Sequence, residues 1–268
     1  MEWIDSHCHL EKAMRADRVE DFLARARDRG VGEVITVGTS LEDWEPYRAL
    51  AQKQRGVVHW TVGIHPCSVE EGWQDALKAV PSFFATEPRP VALGEIGLDH
   101  FHLPKFPDEA AEVKARQAAA FRAQLELAYQ LECPVVVHSR NAFEPCVRMI
   151  DESGVDWSRI VFHCFTEGPE AVAALNERGG RASFTGIVTY KNKSADALRE
   201  AALRQGTAAL MVETDAPYLT PEPRRGQPNE PAFVRDTGEF LAGLFGVTPE
   251  ELARVTTANA RAFFGLER

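Results

Sequence analysis

Short apolar runs recur along the whole chain, and stripes of helical spacing lie between them. The runs are Trp3–His9, Glu33–Gly38, Val57–Gly63, Pro90–Glu95, Cys133–His138, Arg159–His163, Arg181–Gly186 and Ala209–Asp215. Each is rich in Val, Ile or Leu with turn formers nearby, which predicts a buried parallel strand. Between them, Val19, Phe22, Leu23 and Ala26 fall at i, i+3, i+4 and i+7, ending near Gly30. Phe121, Leu125 and Ala128 repeat the spacing, followed by Leu131. Phe233, Thr237, Phe240, Leu241 and Leu244 make another stripe, with Asn229 as N-cap and Pro231 in the first turn. Thr248-Pro-Glu-Glu251 is a capping box opening a last helix, which runs to about Gly265 as its C′ residue.

Several runs end in groups that bind metals. Residues two apart in a strand share a face, so His7 and His9 converge where the first strand meets its loop. Paired neutral imidazoles suit a divalent transition metal. Later runs end in Glu95, His138, His163 and Asp215. These six residues must meet, and that requirement selects the fold. A doubly wound open sheet would spread its strand ends along tens of ångströms at ~4.8 Å per strand. A (β/α)8 barrel gathers them at one mouth, where barrel active sites lie, and its usual size of ~250 residues suits eight units. The fold class expected is therefore α/β, a (β/α)8 TIM barrel, with residues 1–268 as a single domain.

Composition narrows this further. Apolar residues make up 44% of 268 residues, enough for a large core. No internal repeat or Ser/Gly/Pro-rich linker divides the chain, no apolar run approaches the ~20 residues of a membrane span, and nothing resembles a signal peptide. Five cysteines without paired spacing favour a reducing cytoplasm. Strand alternation turns Cys8 and Cys164 toward the helix layer, and Cys67, Cys133 and Cys146 have no ligand partners in the sequence pattern. The net charge of −10 disfavours a duplex-coating protein, which normally carries a basic surface. A polyanionic substrate must be held locally, by metal ions and a few arginines.

The chain resembles the TatD-type metal-dependent deoxyribonucleases of the wider amidohydrolase-like barrels. The likeness covers nearly the whole chain. It rests on Asp5-Ser-His-Cys-His-Leu10, Gly63-Ile-His-Pro66, Gly94-Glu-Ile-Gly-Leu-Asp99, His138-Ser-Arg-Asn-Ala142, His163-Cys-Phe-Thr166, Glu213-Thr-Asp-Ala-Pro-Tyr-Leu219 and Asn229-Glu-Pro231. It implies a magnesium- or manganese-supported nuclease, often a 3′→5′ exonuclease on single strands. It also implies a division of ligands: His7, His9, Glu95 and Asp215 on one metal, with Glu95 bridging to a second held by His138 and His163. Two such ions bring +4 and the two carboxylates return −2, leaving a positive centre for one phosphodiester.

Other residues are candidates around that centre. Asp215 is expected to orient a water or take its proton. His65 has two readings, a phosphate or leaving-group contact and a turn hydrogen bond. Glu213 shares a face with Asp215 and either anchors a ligand histidine or is purely structural. Arg140 follows His138 and suits a bidentate phosphate contact. Arg224, Arg225 and Asn229 lie after the eighth strand, where barrels often bind phosphate; solvated loop positions, or a helix cap for Asn229, are the plainer readings. The segment 100–108 is longer than usual for the family and His100 stands where tyrosine is frequent; Glu167 intervenes before Gly168. These changes bear on the substrate more than on the metals.

The expectation is a dinuclear metal-dependent phosphodiester hydrolase acting on the 3′ end of single-stranded DNA, cytoplasmic, with no membrane and no stable protein partner. Zn²⁺ or Mn²⁺ suits the imidazole-rich ligands better than Mg²⁺, although Mg²⁺ remains compatible with turnover. Two alternatives stay open: a metal-dependent amidohydrolase or ester hydrolase on a small or tRNA-linked substrate, and a non-catalytic metal-binding scaffold.

Overall fold

The computed structural model describes residues 2–266. In chain order the elements begin with β1 (Trp3–Cys8), α1 (Glu11–Arg15), α2 (Val19–Asp28), β2 (Val31–Thr36), α3 (Leu41–Lys53), β3 (Val58–Trp60) and α4 (Trp73–Phe84). They continue with β4 (Leu93–Asp99), α5 (Pro107–Leu131), β5 (Val135–Arg140), α6 (Phe143–Ser153), β6 (Ile160–Phe162) and α7 (Pro169–Arg178). The last are β7 (Arg181–Phe184), α8 (Lys193–Gln205), β8 (Met211–Val212), α9 (Val234–Phe245) and α10 (Pro249–Phe264). All eight expected strands are present, alternating with helices. Among the described residues no helix is long and apolar enough to cross a membrane.

The chain divides into two compact units. Among the described residues the first holds 2–36, 54–59 and 163–266. Here β1 pairs with β2 and β7 with β8, all parallel, and a bridge between Cys8 and Ala216 ties the end of β1 to the segment after β8. Every residue of β1 is buried, as a parallel strand covered on both faces must be. Trp3 is fully buried, and its ring lies where a Cβ on Gly238 of α9 would come within 2.4 Å. Only glycine permits that approach.

The second unit holds residues 37–53 and 60–162. Its parallel strands run β4-β5-β6, and Val62 bridges to Leu93. Trp44, Tyr47, Trp60, Phe121 and Phe162 are its largest buried side chains. The fourth strand differs from expectation. It does not stop at Glu95 but runs on to Asp99, with Ile96 and Leu98 buried. Gly97 makes this possible: its φ of +142° and its approach to the His138 carbonyl leave no room for a Cβ. Glu95 is therefore a mid-strand residue, and the loop that follows spans 100–106 before Pro107 opens α5.

The helix ends mostly follow the sequence signals. Thr248 Oγ1 accepts from the Glu251 N–H (3.1 Å), and Gly265 closes α10 at a φ of +65°. Asn229 is the exception. A 3-10 turn at Pro231–Phe233 precedes α9, and Asn229 caps neither.

A buried charge cluster holds the first unit on its outer side. Glu33 of β2 accepts from Arg261 Nε (2.9 Å) and meets His59 Nε2 at 2.7 Å. Burial alone would raise its carboxyl, but His59 and Arg261 outweigh burial and hold it below the ordinary carboxylate range. Its contribution to stability is complete above ~pH 4.3 and is lost as the pH falls through the lowered folded value. Glu33→Gln should lower stability at pH 7 by ~1–3 kcal/mol and flatten this acid dependence. Urea unfolding at pH 7 and below pH 4 measures both, and equal stability of variant and wild type at pH 7 would remove the cluster from the account.

Candidate metal centre

In the first unit, backbone pairing at the end of β1 sets the ligands. The Asp215 N–H donates to the His7 carbonyl (2.9 Å) and the His9 N–H to the Ala216 carbonyl (2.7 Å). Asp5, fully buried, accepts from the Thr214 N–H (2.8 Å) and hydroxyl (2.6 Å), locking β1 to residue 214. Burial pushes the Asp5 carboxyl well up despite those bonds. Asp215 itself sits at φ +55°, a left-handed backbone uncommon outside glycine and a mark of functional positions.

Three donor atoms result. His7 Nε2 and His9 Nε2 are 3.3 Å apart, and Asp215 Oδ1 lies 3.8 and 3.5 Å from them. Ligands ~2.1 Å from one ion are separated by ~3.0–3.4 Å in octahedral or tetrahedral geometry, so this triangle is close to the base of a single divalent site. Burial would raise the Asp215 carboxyl, but His9, His7 and His163 outweigh it and keep it below its ordinary value, ionised. His163 stacks on His7, with centroids 3.9 Å apart and planes at 10°. Behind it is Glu213, buried, its Oε1 3.6 Å from His163 Nδ1. Glu213 also accepts from the Cys164 N–H (2.6 Å) and from the Ser183 hydroxyl. These contacts fit its anchoring reading.

In the second unit, Glu95 Oε1 lies 2.8 Å from His138 Nδ1 and 3.4 Å from His65 Nε2. His138 Nε2 faces Asp99 Oδ2 at 3.1 Å. A carboxylate that takes Nε2–H fixes the tautomer and turns the Nδ1 lone pair toward Glu95, the usual support of a metal-binding imidazole. Two facing acceptors need a proton or a cation between them, and a divalent ion could take that place. His65 differs. The Cys67 N–H donates to its Nδ1 (3.0 Å), so the neutral ring carries its proton on Nε2 and presents a donor rather than a lone pair. That bond is the turn hydrogen bond of the plainer reading.

Helix α5 holds this set from behind. Gln124 Oε1 accepts from the Ile64 N–H (2.8 Å) and its Nε2 donates to the Ile64 carbonyl (3.1 Å), next to His65. Gln117, two turns earlier, accepts from the Asp99 N–H (3.1 Å). Both glutamines are buried. The alternation Glu95, Gly97, Asp99 was the available sign that Asp99 shares the face of Glu95.

The remaining candidates make other contacts. Arg140 lies over the Phe101 ring (4.2 Å) and Arg225 over Tyr190 (4.1 Å). Arg224 pairs with Asp236 (2.7 Å). His100 is half-buried, and burial together with Lys114 lowers its pKa, so it is neutral at pH 7. Asn229 is buried, donating to the Thr214 and Tyr218 carbonyls and accepting from the Glu230 N–H. Its amide braces the segment around Asp215. A pocket of about 180 Å³ beside His9 is lined by Lys12, Arg18, Phe22 and Pro217, among others. Its two cations were not singled out by sequence spacing, because isolated basic residues, Lys12 on the short α1 and Arg18 just before α2, carry no pattern.

The family model for the TatD related DNases matches residues 4–265. The chain belongs to the TatD family. It is 38% identical to the uncharacterised metal-dependent hydrolase YcfH of Escherichia coli K12, over 98% of this chain and 96% of the relative. It is 34% identical to the 3′-5′ ssDNA/RNA exonuclease TatD of Erwinia billingiae, over 98% of both. The crystal structure of the Escherichia coli TatD homologue YJJV superposes with a TM-score of 0.88 at 27% identity, covering 99% of this chain and 98% of the other. This TatD protein is thus a metal-dependent hydrolase with the (β/α)8 barrel fold expected from its strand pattern.

Proposed function

We propose that the protein hydrolyses phosphodiester bonds at the 3′ end of single-stranded nucleic acid, using two divalent ions, one on each ligand set. The observation that carries this reading is the His7, His9, Asp215 triangle, whose edges of 3.3–3.8 Å are close to the ligand spacing of one ion. Glu95 and His138 are the protein ligands proposed for the second. The resemblance gives His163 to the second ion, whereas its donor lies within 4.8 Å of those of His7 and Asp215; its allocation is part of the proposal. When bound, such ions supply Lewis acidity toward phosphoryl oxygens and toward water.

The chain's own groups do the rest. Asp215 and Glu95 bring negative charge to buried positions that otherwise carry imidazoles. Asp99 holds the His138 ring by its Nε2–H, and Glu213 backs His163. His65 offers an Nε2–H to a phosphate oxygen. Arg140 and Arg225, each beside an aromatic ring, suit a single strand, whose bases stack and whose phosphates pair with cations. A net charge of −10 makes broad duplex binding poor. We also take the whole chain as one functional domain, since the family match runs through both units.

The test is a substrate panel. Metal-loaded protein is incubated with end-labelled single-stranded DNA, RNA and blunt duplex, and in parallel with amides, lactones and aminoacyl esters. The expected result is a ladder of mononucleotide release from the 3′ end of single strands, slower on duplex and abolished by chelator. Inert nucleic acid beside rapid metal-dependent turnover of an amide or ester would overturn the nuclease reading in favour of an amidohydrolase. Inertness toward all of them, with two ions bound, would leave a metal-binding scaffold.

A further inference from the structure

We propose that Cys67, Asp99 and His102 form a separate binding site for a thiophilic divalent cation, with Zn²⁺ the natural occupant. One donor from each, Sγ, a carboxylate oxygen and an imidazole nitrogen, lies within 4.8 Å of the others. They come from three segments of the second unit: the 3-10 turn after β3, the end of β4, and the loop after it. Thiolate, imidazole and carboxylate is a set that selects Zn²⁺ over the hard ions Mg²⁺ and Ca²⁺, and three protein ligands with an open side is a common zinc arrangement.

The surroundings orient these donors, while burial and the Asp99 carboxylate push the Cys67 thiol up, so it holds its proton until an ion displaces it. Asp99 is buried, and its Oδ1 accepts from the N–H groups of Phe101 (2.9 Å) and His102 (2.8 Å). Those bonds leave Oδ2 facing His102 Nδ1 at 2.8 Å and His138 Nε2 at 3.1 Å. Cys67 is tethered through its N–H to His65. Cys67 and His102 are exposed, so an ion reaches them from solvent and His102 can swing by the fraction of an ångström that coordination needs. Binding releases the thiol proton to solvent and replaces the His102 contact on Oδ2 with the ion, while the His138 N–H keeps its acceptor. Occupancy would then fix the 100–106 loop and, through Asp99, act on His138. The site shares no ligand atom with His7, His9, Asp215, Glu95 or His138, and the proposal is independent of the substrate.

Cobalt reads it directly. Metal-free full-length protein is titrated with Co²⁺ and followed in the near ultraviolet, where only a sulfur ligand gives strong thiolate-to-metal absorption. The ligand sets described above contain no sulfur, so they are silent there. The expected result is one such band, bleached by Zn²⁺, which binds more tightly than Co²⁺. It should be lost in Cys67→Ser, strongly weakened in His102→Ala and unchanged in Cys164→Ser, with zinc content falling by one ion per chain in Cys67→Ser. Both changed residues are exposed, and circular dichroism checks that the variants are folded. No band in the wild type at excess Co²⁺, a band intact in Cys67→Ser or His102→Ala, or one lost in Cys164→Ser would each overturn the assignment.

Discussion

Replacing Asp215 with asparagine should leave a folded protein whose turnover is ~10²–10⁴-fold slower. Folding should survive because what binds this residue into the structure is main chain: its N–H to the His7 carbonyl and its own carbonyl to the Tyr218 N–H. Asparagine is also among the residues that best tolerate the left-handed conformation seen at φ +55°. The loss is therefore chemical. Asp215 is held ionised by His9, His7 and His163 against the cost of burial, so its fixed charge beside the two β1 imidazoles matters more than any basicity. An amide of the same shape carries no charge. The measurement is kcat on a single-stranded oligonucleotide, with circular dichroism and elemental analysis on the same preparation. Near-normal turnover by a folded variant would refute the role.

Glu95→Gln should lower the metal content by one ion per chain, and turnover with it. Glu95 is buried, with Oε1 2.8 Å from His138 Nδ1. Glutamine fills the same volume, but it removes the only carboxylate that faces the His138 lone pair among the described contacts of that ring on its Nδ1 side. Elemental analysis decides the result. An unchanged metal content would take Glu95 out of the ligand set, whereas loss of two ions would give it the bridging role that the family resemblance implies.

The fold was legible because burial on both faces of a parallel strand writes itself as an apolar run, and eight runs could be counted. His7 lies in β1 with His9 just beyond it, and His163 directly follows β6, as the apolar runs implied, whereas His138 lies within β5, which continues to Arg140, and Asp215 stands beyond the end of β8 at Val212. Glu95 was found for a reason that needed correcting: Gly94 and Gly97 look like the end of a strand, yet here they permit close packing within one. What was not legible came from long-range polar pairing. Nothing local says that Asp5 braces Thr214, that Gln117 and Gln124 hold the backbone at Asp99 and Ile64, or that Asn229 spends its amide on carbonyls. Buried polar groups take whatever partner the fold delivers, and periodicity does not report partners. Cys67 was passed over because its companions are neighbours in space only.

The tie between Asp5 and Thr214 spans 209 residues of sequence, whereas His65 and His138 are 73 apart. During synthesis, which proceeds from the N-terminus, the chain therefore offers complete ligand groups in a fixed order. Glu95 and His138 leave the ribosome together with the helix that supports them. His7 and His9 are made almost first, yet wait for Asp215, made among the last, before they become part of a three-donor group. Contacts of such separation are the slow ones to form, so on the proposed ligand assignment metal loading at β1 would report on completion of the chain: a truncated or stalled product would lack that ion, however well its earlier segments had folded.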